Sequence, residues 1–380
     1  MKIKYLTVDR EWKKRLEDNG FGFHTDENNI PYWIEEYYYS ISEDFADEVF
    51  EATAELWTMC LEAVEHVISN KLYDQFHIPL YIQEHIENSW ENDSPSIYGR
   101  FDFAYDHKLK QLKVLEFNAD TPTSLFETGV IQWQWMQHYF GSRVDQFNSV
   151  HDQLIHTWKE IKPYLKGHIL HFSCIKDHLE DLTNVEYLRD CAIQAGIQTK
   201  LVFVEDIGWD GETFTDLEDE VITDIFKLYP WEWLIYERFS LHIPNDIAQA
   251  NWIEPSWKLL LSNKAILPIL WKLYPNHPLL LEAYFDEPHR MKDYVKKPFL
   301  SREGANVTLY KNGQIVEATP GEYGDEGYIC QALANLHQET TGYSIIGSWL
   351  IGQQPCGITF RESNQLITTD KSRFIPHIIE

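Results

Sequence analysis

Between residues 31 and 70 apolar side chains recur every three or four positions in "PYWIEEYYYSISEDFADEVFEATAELWTMCLEAVEHVISN". That period predicts long amphipathic helices. The texture changes near residue 96: "SIYGRFDFAYD" and "KLKVLEFN" alternate polar and apolar with period two, and "HKLKQ" between them reads as the turn of a hairpin. A helix is expected over "LFETGVIQWQWMQHYFG". Farther on, "GHILHFSC", "DLTNVEYLRDCAIQAG" and "IQTKLVFVEDI" give a strand, a helix closed by Gly196 and a second strand. This is a parallel βαβ unit over about 166–207, distinct from the hairpin before it. From 252, "WIEPSWKLLLSNKAILPILWKLYPNHPLLLEAYFD" predicts helices broken by prolines. "YVKKPFLSREGANVTLYKNGQIVEA" then predicts two or three strands with Asn312-Gly313 as a hairpin turn. Short strands continue through "GYICQALA", "YSIIGSWLIGQQPCGITFRES" and "LITTD".

Composition narrows the classes of function. A chain of 380 residues, 44% hydrophobic and 24% charged, is ordinary globular material for two or three domains. Its net charge of −28, with no basic cluster, argues against nucleic acid and anionic membrane as partners. The same acidity suits a cationic substrate such as a polyamine, but it also serves solubility alone. No apolar run approaches the ~20 residues of a membrane span, and "MKIKYLTVDREWKKRLEDNG" has no apolar signal core, so a cytoplasmic protein is expected. Five cysteines without a CxxC pair fit a reducing compartment and no disulfide framework. Neither GxGxxG nor GxxxxGK[ST] is present.

Candidate chemistry begins at "EFNADTPTS", residues 116 to 124. Alternate strand positions share a face, so Glu116 and Asn118 aim two oxygen ligands at one point; the same residues are also ordinary turn formers. In "YGRFDF", Arg100 and Asp102 share a face of the neighbouring strand. Asp102, Glu116 and Asn118 together suit Mg²⁺ shared with phosphates, and Arg100 is placed to clamp a phosphoryl group. Lys297, followed by a turn at Gly304, reads either as a phosphate-binding strand and loop or as a plain hairpin. His168, His171 and His178 near Cys174 match no zinc spacing and read as structural.

Taken in order, "YGRFDF", "LEFNADTPTS", "LSNKAILPILW", "YVKKPFLSREGANV", "GSWLIGQQPCGITFRES" and "SRFIPH" resemble the glutathionylspermidine synthetase family, from about residue 20 to 378. The resemblance implies an α/β fold with α+β elements. An ATP-grasp body would comprise residues 1–145 and 252–380, with a smaller doubly wound, pre-ATP-grasp-like domain over 146–251. It implies ATP and Mg²⁺ as cofactors, with Asp102, Glu116 and Asn118 as metal ligands. Lys264 and Lys297 would be the ATP lysines, and Glu303 and Gly304 the loop over the phosphates. Tyr328, Ile329, Cys330 and Gln331 would form the strand along adenine, and Leu366, Ile367 and Thr368 a later strand lining the nucleotide. Arg100 and Arg361 would meet the transferred phosphoryl group and the acyl phosphate. Thr121 and Thr123 stand where the family, usually with serine, holds the acid. Glu180 and Asp181 fall where acidic residues meet a polyamine, although Asp181 also reads as a cap for a helix starting near Leu182.

The implied activity is an acid–amine ligase acting on two small molecules, with a thiol peptide and a polyamine as the family's examples. The alternatives are an ATP-binding regulatory module and an ATPase without ligation. Two departures point to a stand-alone branch: the resemblance includes no amidase domain, and "KLYPWEW" (227–233) replaces a more polar segment near the substrate.

Overall fold

In the computed structural model, which describes residues 1–26, 28–369 and 371–380, the apolar stripe after residue 42 forms one helix, Glu43–Ser69. Ser42 caps it by accepting from the Phe45 amide at 3.3 Å, and Glu43 and Asp44 complement its N-terminal dipole. Its buried face, including Val49, Leu56, Cys60, Ala63 and Val67, packs on the strands Gly342–Ile351 and Gln354–Ser363. Truncating Leu56 to Ala in such a setting costs about 2–5 kcal/mol. The residues before it are not helical as expected. Tyr37–Ile41 is a strand between Lys2–Tyr5 and His377–Ile379. Consecutive aromatics suit a pleated surface, and a pairing partner at the far end of the chain leaves no trace in local periodicity.

The expected hairpin is Tyr98–Asp106 against Gln111–Asn118. It belongs to an antiparallel sheet ordered Arg373–Ile375, Gln354–Ser363, Gly342–Ile351, Tyr98–Asp106, Gln111–Asn118, and His337–Glu339 pairs with the start of Gly342–Ile351. Phe101, Phe103 and Tyr105 join the core beneath the Glu43–Ser69 helix, which leaves the other face of that strand for Arg100 and Asp102. The helix that follows opens with an irregularity, the π-turn Glu127–Ile131, before Gln132–Phe140.

The βαβ unit expands into a parallel sheet ordered Asn251–Ile253, Asp224–Lys227, Ile169–Cys174, Gln198–Phe203. The helix Leu179–Gln194 makes the crossover, and Gly196 closes it at φ 79°. Its edge strand Asn251–Ile253 carries this unit just past residue 251. A third sheet, antiparallel, is ordered Ala283–Phe285, Tyr328–Ala332, Tyr294–Pro298, Thr308–Lys311, Gln314–Ala318. Asn312 and Gly313, at φ 51° and 74°, make its tight turn. Over 366–369 the expected strand at "LITTD" is a loop instead, Asp370 lying outside the described residues: the Leu366 and Ile367 amides donate to the Glu317 carboxylate rather than to a ladder. Two of the histidines near Cys174 have structural partners, His171 with Asp216 at 3.2 Å and His178 at the start of the 179–194 helix. No helix among the described residues is long and apolar enough to cross a membrane.

Candidate functional site

One cleft gathers most of the sequence-predicted residues, with walls drawn from the hairpin's sheet, from the antiparallel sheet of 283–332 and from helix residues Glu180 and Glu232 of the parallel unit. Its floor is the hairpin, whose register sets Arg100 opposite Asn118 and Asp102 opposite Glu116. The Arg100 guanidinium holds the Asp102 carboxylate in a two-pronged pair, at 2.7 and 2.9 Å, and donates to the Thr123 carbonyl at 2.5 Å. Asn118 lies 3.2 Å from Asp102 Oδ2, and Lys264 Nζ lies 3.2 Å from Glu116. Burial alone would raise the Glu116 carboxyl, but Lys264, Lys297 and Arg100 outweigh it and hold it at about 2. Two carboxylates and one amide oxygen form a hard donor set, and they leave the remaining positions of an octahedral cation to phosphate and water. The residues fit Mg²⁺.

Above this floor, Lys264 Nζ donates to the Ser301 carbonyl at 2.6 Å. Lys297 Nζ donates to Gln331 at 2.7 Å and to the Leu115 carbonyl at 3.1 Å. Burial lowers the Lys297 ammonium to about 8, with Glu116 pulling the other way. Glu303 and Gly304 sit at φ 50° and 69°, in a loop pressed against residues 366–368. A Cβ on Gly304 would stand 2.4 Å from the Thr368 carbonyl oxygen, so the contact requires glycine. Leu366, Ile367 and Thr368 do line the cleft, as loop rather than strand. Of Tyr328, Ile329, Cys330 and Gln331, only Gln331 lines it, and the wall continues through Ala332, Leu333 and Ala334. The chain reaches the cleft only as this strand ends at Ala332.

Thr121 and Thr123 line the next section of wall. Thr121 Oγ1 accepts from Arg302 at 2.9 Å, and Arg302 also reaches Glu232 at 3.3 Å. The segment "KLYPWEW" therefore brings charge into the site despite its apolar look. Lys227 Nζ pairs with Asp120 at 2.7 Å, both side chains being almost fully buried. The other Asp120 oxygen accepts from the Trp231 amide at 2.7 Å. This ties the "NADTPTS" turn to the parallel sheet. Arg361 faces the cleft and donates to the Thr369 carbonyl at 3.1 Å.

Glu180 and Asp181 separate in role. The helix begins at Leu179 with His178 as its cap, so both acids occupy the first turn rather than the cap position. Glu180 lines the cleft, while Asp181 is engaged by His178 at 3.3 Å. Burial, then Glu127, Asp181 and Glu303, push the Glu180 carboxyl up to about 8. Sequence reasoning singled out neither Tyr32, Ser124, Arg302 nor Glu232, all of which line the cleft, nor the pairing of Asp120, in the same lining, with Lys227. Asp120, Ser124 and Arg302 were within reach, inside the quoted "EFNADTPTS" and "SREG". Tyr32 and Glu232 carried no local signal.

A family model described as the pre-ATP-grasp part of glutathionylspermidine synthase matches residues 3–380. A provisionally named acid–amine ligase of Haemophilus influenzae is 42% identical, over 96% of this chain and 95% of its own. The trypanothione synthetase of Crithidia fasciculata is 29% identical over 89% of this chain, and the bifunctional glutathionylspermidine synthetase/amidase of Escherichia coli 27% over 93%. This chain spans only 56% and 60% of those two relatives' lengths. Among solved structures, a glutathione synthetase-like effector of Globodera pallida, in its apo form, covers 90% of this chain and 89% of its own. Its TM-score is 0.57 at 10% identity, a likeness of fold alone. The fold is of the ATP-grasp type.

Proposed function

The chain belongs to the glutathionylspermidine synthase family, and from that premise we propose that it is an ATP-dependent carboxylate–amine ligase working through an acyl phosphate. The observation that carries the reading is the meeting of Asp102, Glu116, Lys264, Lys297, Arg100 and Arg361 in one cleft beneath the 301–304 loop. Hard oxygen donors beside fixed cations are what phosphoryl transfer needs, since that chemistry is mostly positioning and charge stabilisation.

The acid, held near Thr121, Thr123 and Arg302, attacks the γ-phosphoryl group of ATP. An acyl phosphate forms and ADP leaves. Arg100, Lys264 and Lys297 balance the charge on the transferring oxygens. Mg²⁺ held by Asp102, Glu116 and Asn118 would supply further neutralisation of the phosphates. The amine, drawn by Glu180, then attacks the acyl carbon, and phosphate departs with Arg361 beside the developing oxyanion. The relatives' names make a thiol peptide and a polyamine the first substrates to try. The body over 1–145 and 252–380 would carry the nucleotide and the 146–251 unit the substrates' outer wall.

A screen of phosphate release tests this. Glutathione, shorter γ-glutamyl peptides and amino acids are paired with spermidine, putrescine and simple amines, with amide product read by mass. Stoichiometric amide and phosphate support the ligase. ATP hydrolysis indifferent to every pair favours an ATPase, and binding without turnover a regulatory module.

A further inference from the structure

Tyr32 and Glu127 form a hydrogen-bonded pair, the carboxylate buried and the phenol half-buried, that none of the roles above employs. Glu127 is fully buried on the π-turn Glu127–Ile131, the kind of helix irregularity that recurs at functional sites. Its Oε1 accepts from the Tyr32 hydroxyl at 2.6 Å, while Oε2 has no partner among the described residues. Leaving a buried carboxylate half satisfied is costly. The Tyr32 oxygen also lies 3.1 Å from Ser124 Oγ. Tyr32 and Ser124 both line the cleft, in company with Thr123, Glu180, Arg100 and Arg361. Ser124 is itself held at φ 70°, a conformation that costs a non-glycine residue about 1–2 kcal/mol. The charged or titratable groups facing Glu127 are Tyr32, Glu180, Arg361 and Arg100. Burial raises the Glu127 carboxyl against the pull of Tyr32 and the two arginines, which makes it a stronger base than a surface glutamate. Burial, Glu127 and Glu180 keep the Tyr32 phenol protonated. Its proton is committed to Glu127, so the phenol oxygen presents a lone pair to the cleft.

We propose that Tyr32 relays the proton of the attacking amine to Glu127 during amide formation, an inference that rests on the ligase reading above. The amine nitrogen's electron pair forms the C–N bond. The bond from the acyl carbon to the phosphate oxygen breaks, and its pair leaves with the phosphate. Before attack the ammonium gives one proton to the Tyr32 oxygen as the Tyr32 proton passes to Glu127 Oε1, which frees that electron pair; the second N–H proton leaves with the departing phosphate. Glu127 becomes anionic again by returning its proton through Tyr32 to water. Tyr32 is the catalytic residue; Glu127 acts through it.

The test compares two nucleophiles in Tyr32→Phe and Glu127→Gln, using the most active acid of the panel above. Spermidine, protonated near neutrality, needs a base; hydroxylamine, largely neutral there, traps an acyl phosphate without one. Both variants should lose about 10²-fold in amide formation with spermidine, the usual worth of a positioned base. Hydroxamate formation should stay within about threefold of wild type. The amide deficit should shrink as pH rises to about 9, because solvent base then does the work. Equal loss with both nucleophiles, or no loss with spermidine, overturns the relay and leaves the ligase standing. A wild type that forms no hydroxamate with any acid overturns the ligase reading, and the relay with it.

Discussion

Asp102 stands directly across from Glu116 in the antiparallel hairpin, with a bulge in the ladder immediately after Asp102. Facing pairs on one side of a sheet lie within about 5.5 Å at Cβ, close enough for two carboxylates to share a cation. Two like charges placed there repel unless something offsets them, and Arg100 and Lys264 do so in the structure. Asp102→Asn and Glu116→Gln should therefore each lower Mg²⁺-dependent ATP turnover by at least about 10²-fold. Far-UV circular dichroism should be unchanged. Normal turnover in either variant, measured by coupled ADP release at saturating Mg²⁺, would remove that residue from the metal site.

Gly304 has room for no side chain, its Cβ position lying 2.4 Å from the Thr368 oxygen at φ 69°. Gly304→Ala should push the loop off residues 366–368. An alanine forced to positive φ costs about 1–2 kcal/mol, which corresponds to roughly a tenfold rise in the KM for ATP if the loop's closed form is what binds nucleotide. The KM for the amine should move little. An unchanged ATP KM would mean that the loop does not cover the phosphates.

Glu180 gives the amine side a pH signature. Its carboxyl, raised to about 8, carries a proton near neutrality when no cation faces it. A bound ammonium favours the ionised form, so binding releases a proton, and amine affinity should climb as pH rises from about 6 to 8. Calorimetry in buffers of different ionisation enthalpy reads the release directly. Glu180→Gln should abolish the release and weaken spermidine binding. Asp181→Asn should do less, since His178 already engages Asp181. Equal effects from both, or no proton release in the wild type, would count against Glu180 as the amine's partner.

The Asp120–Lys227 pair is buried at both ends. Asp120→Ala strands the lysine charge and should destabilise the fold by about 3–5 kcal/mol. Replacing both, as Asp120→Leu with Lys227→Met, should recover much of that loss. The double variant should nevertheless stay impaired in acid KM, because Asp120 also accepts from the Trp231 amide and anchors the turn bearing Thr121. Full recovery of KM together with stability, compared by thermal melts and steady-state kinetics, would show that the pair serves folding alone.

What the sequence determined by itself was whatever depends on near neighbours. Period two over 98–118 gave the hairpin, and the same periodicity put Glu116 and Asn118 on one face. Gly196 and Asn312-Gly313 announced their positive-φ turns. Lys297 was legible on its strand, and the run of motifs pointed to the family to which the chain belongs. The tertiary structure decided what is assembled across long separations. Tyr37–Ile41 became a strand because His377–Ile379 offers it a ladder, overriding an apolar pattern that looked helical. Leu366 and Ile367 gave up a ladder because Glu317 satisfies their amides. Tyr32 meets Glu127 and Lys227 meets Asp120 across about a hundred residues of chain. A half-buried phenol or a buried ammonium reads in sequence like any other. Only the fold supplies the partner that keeps its charge or proton in place, and burial then turns that partner into chemistry.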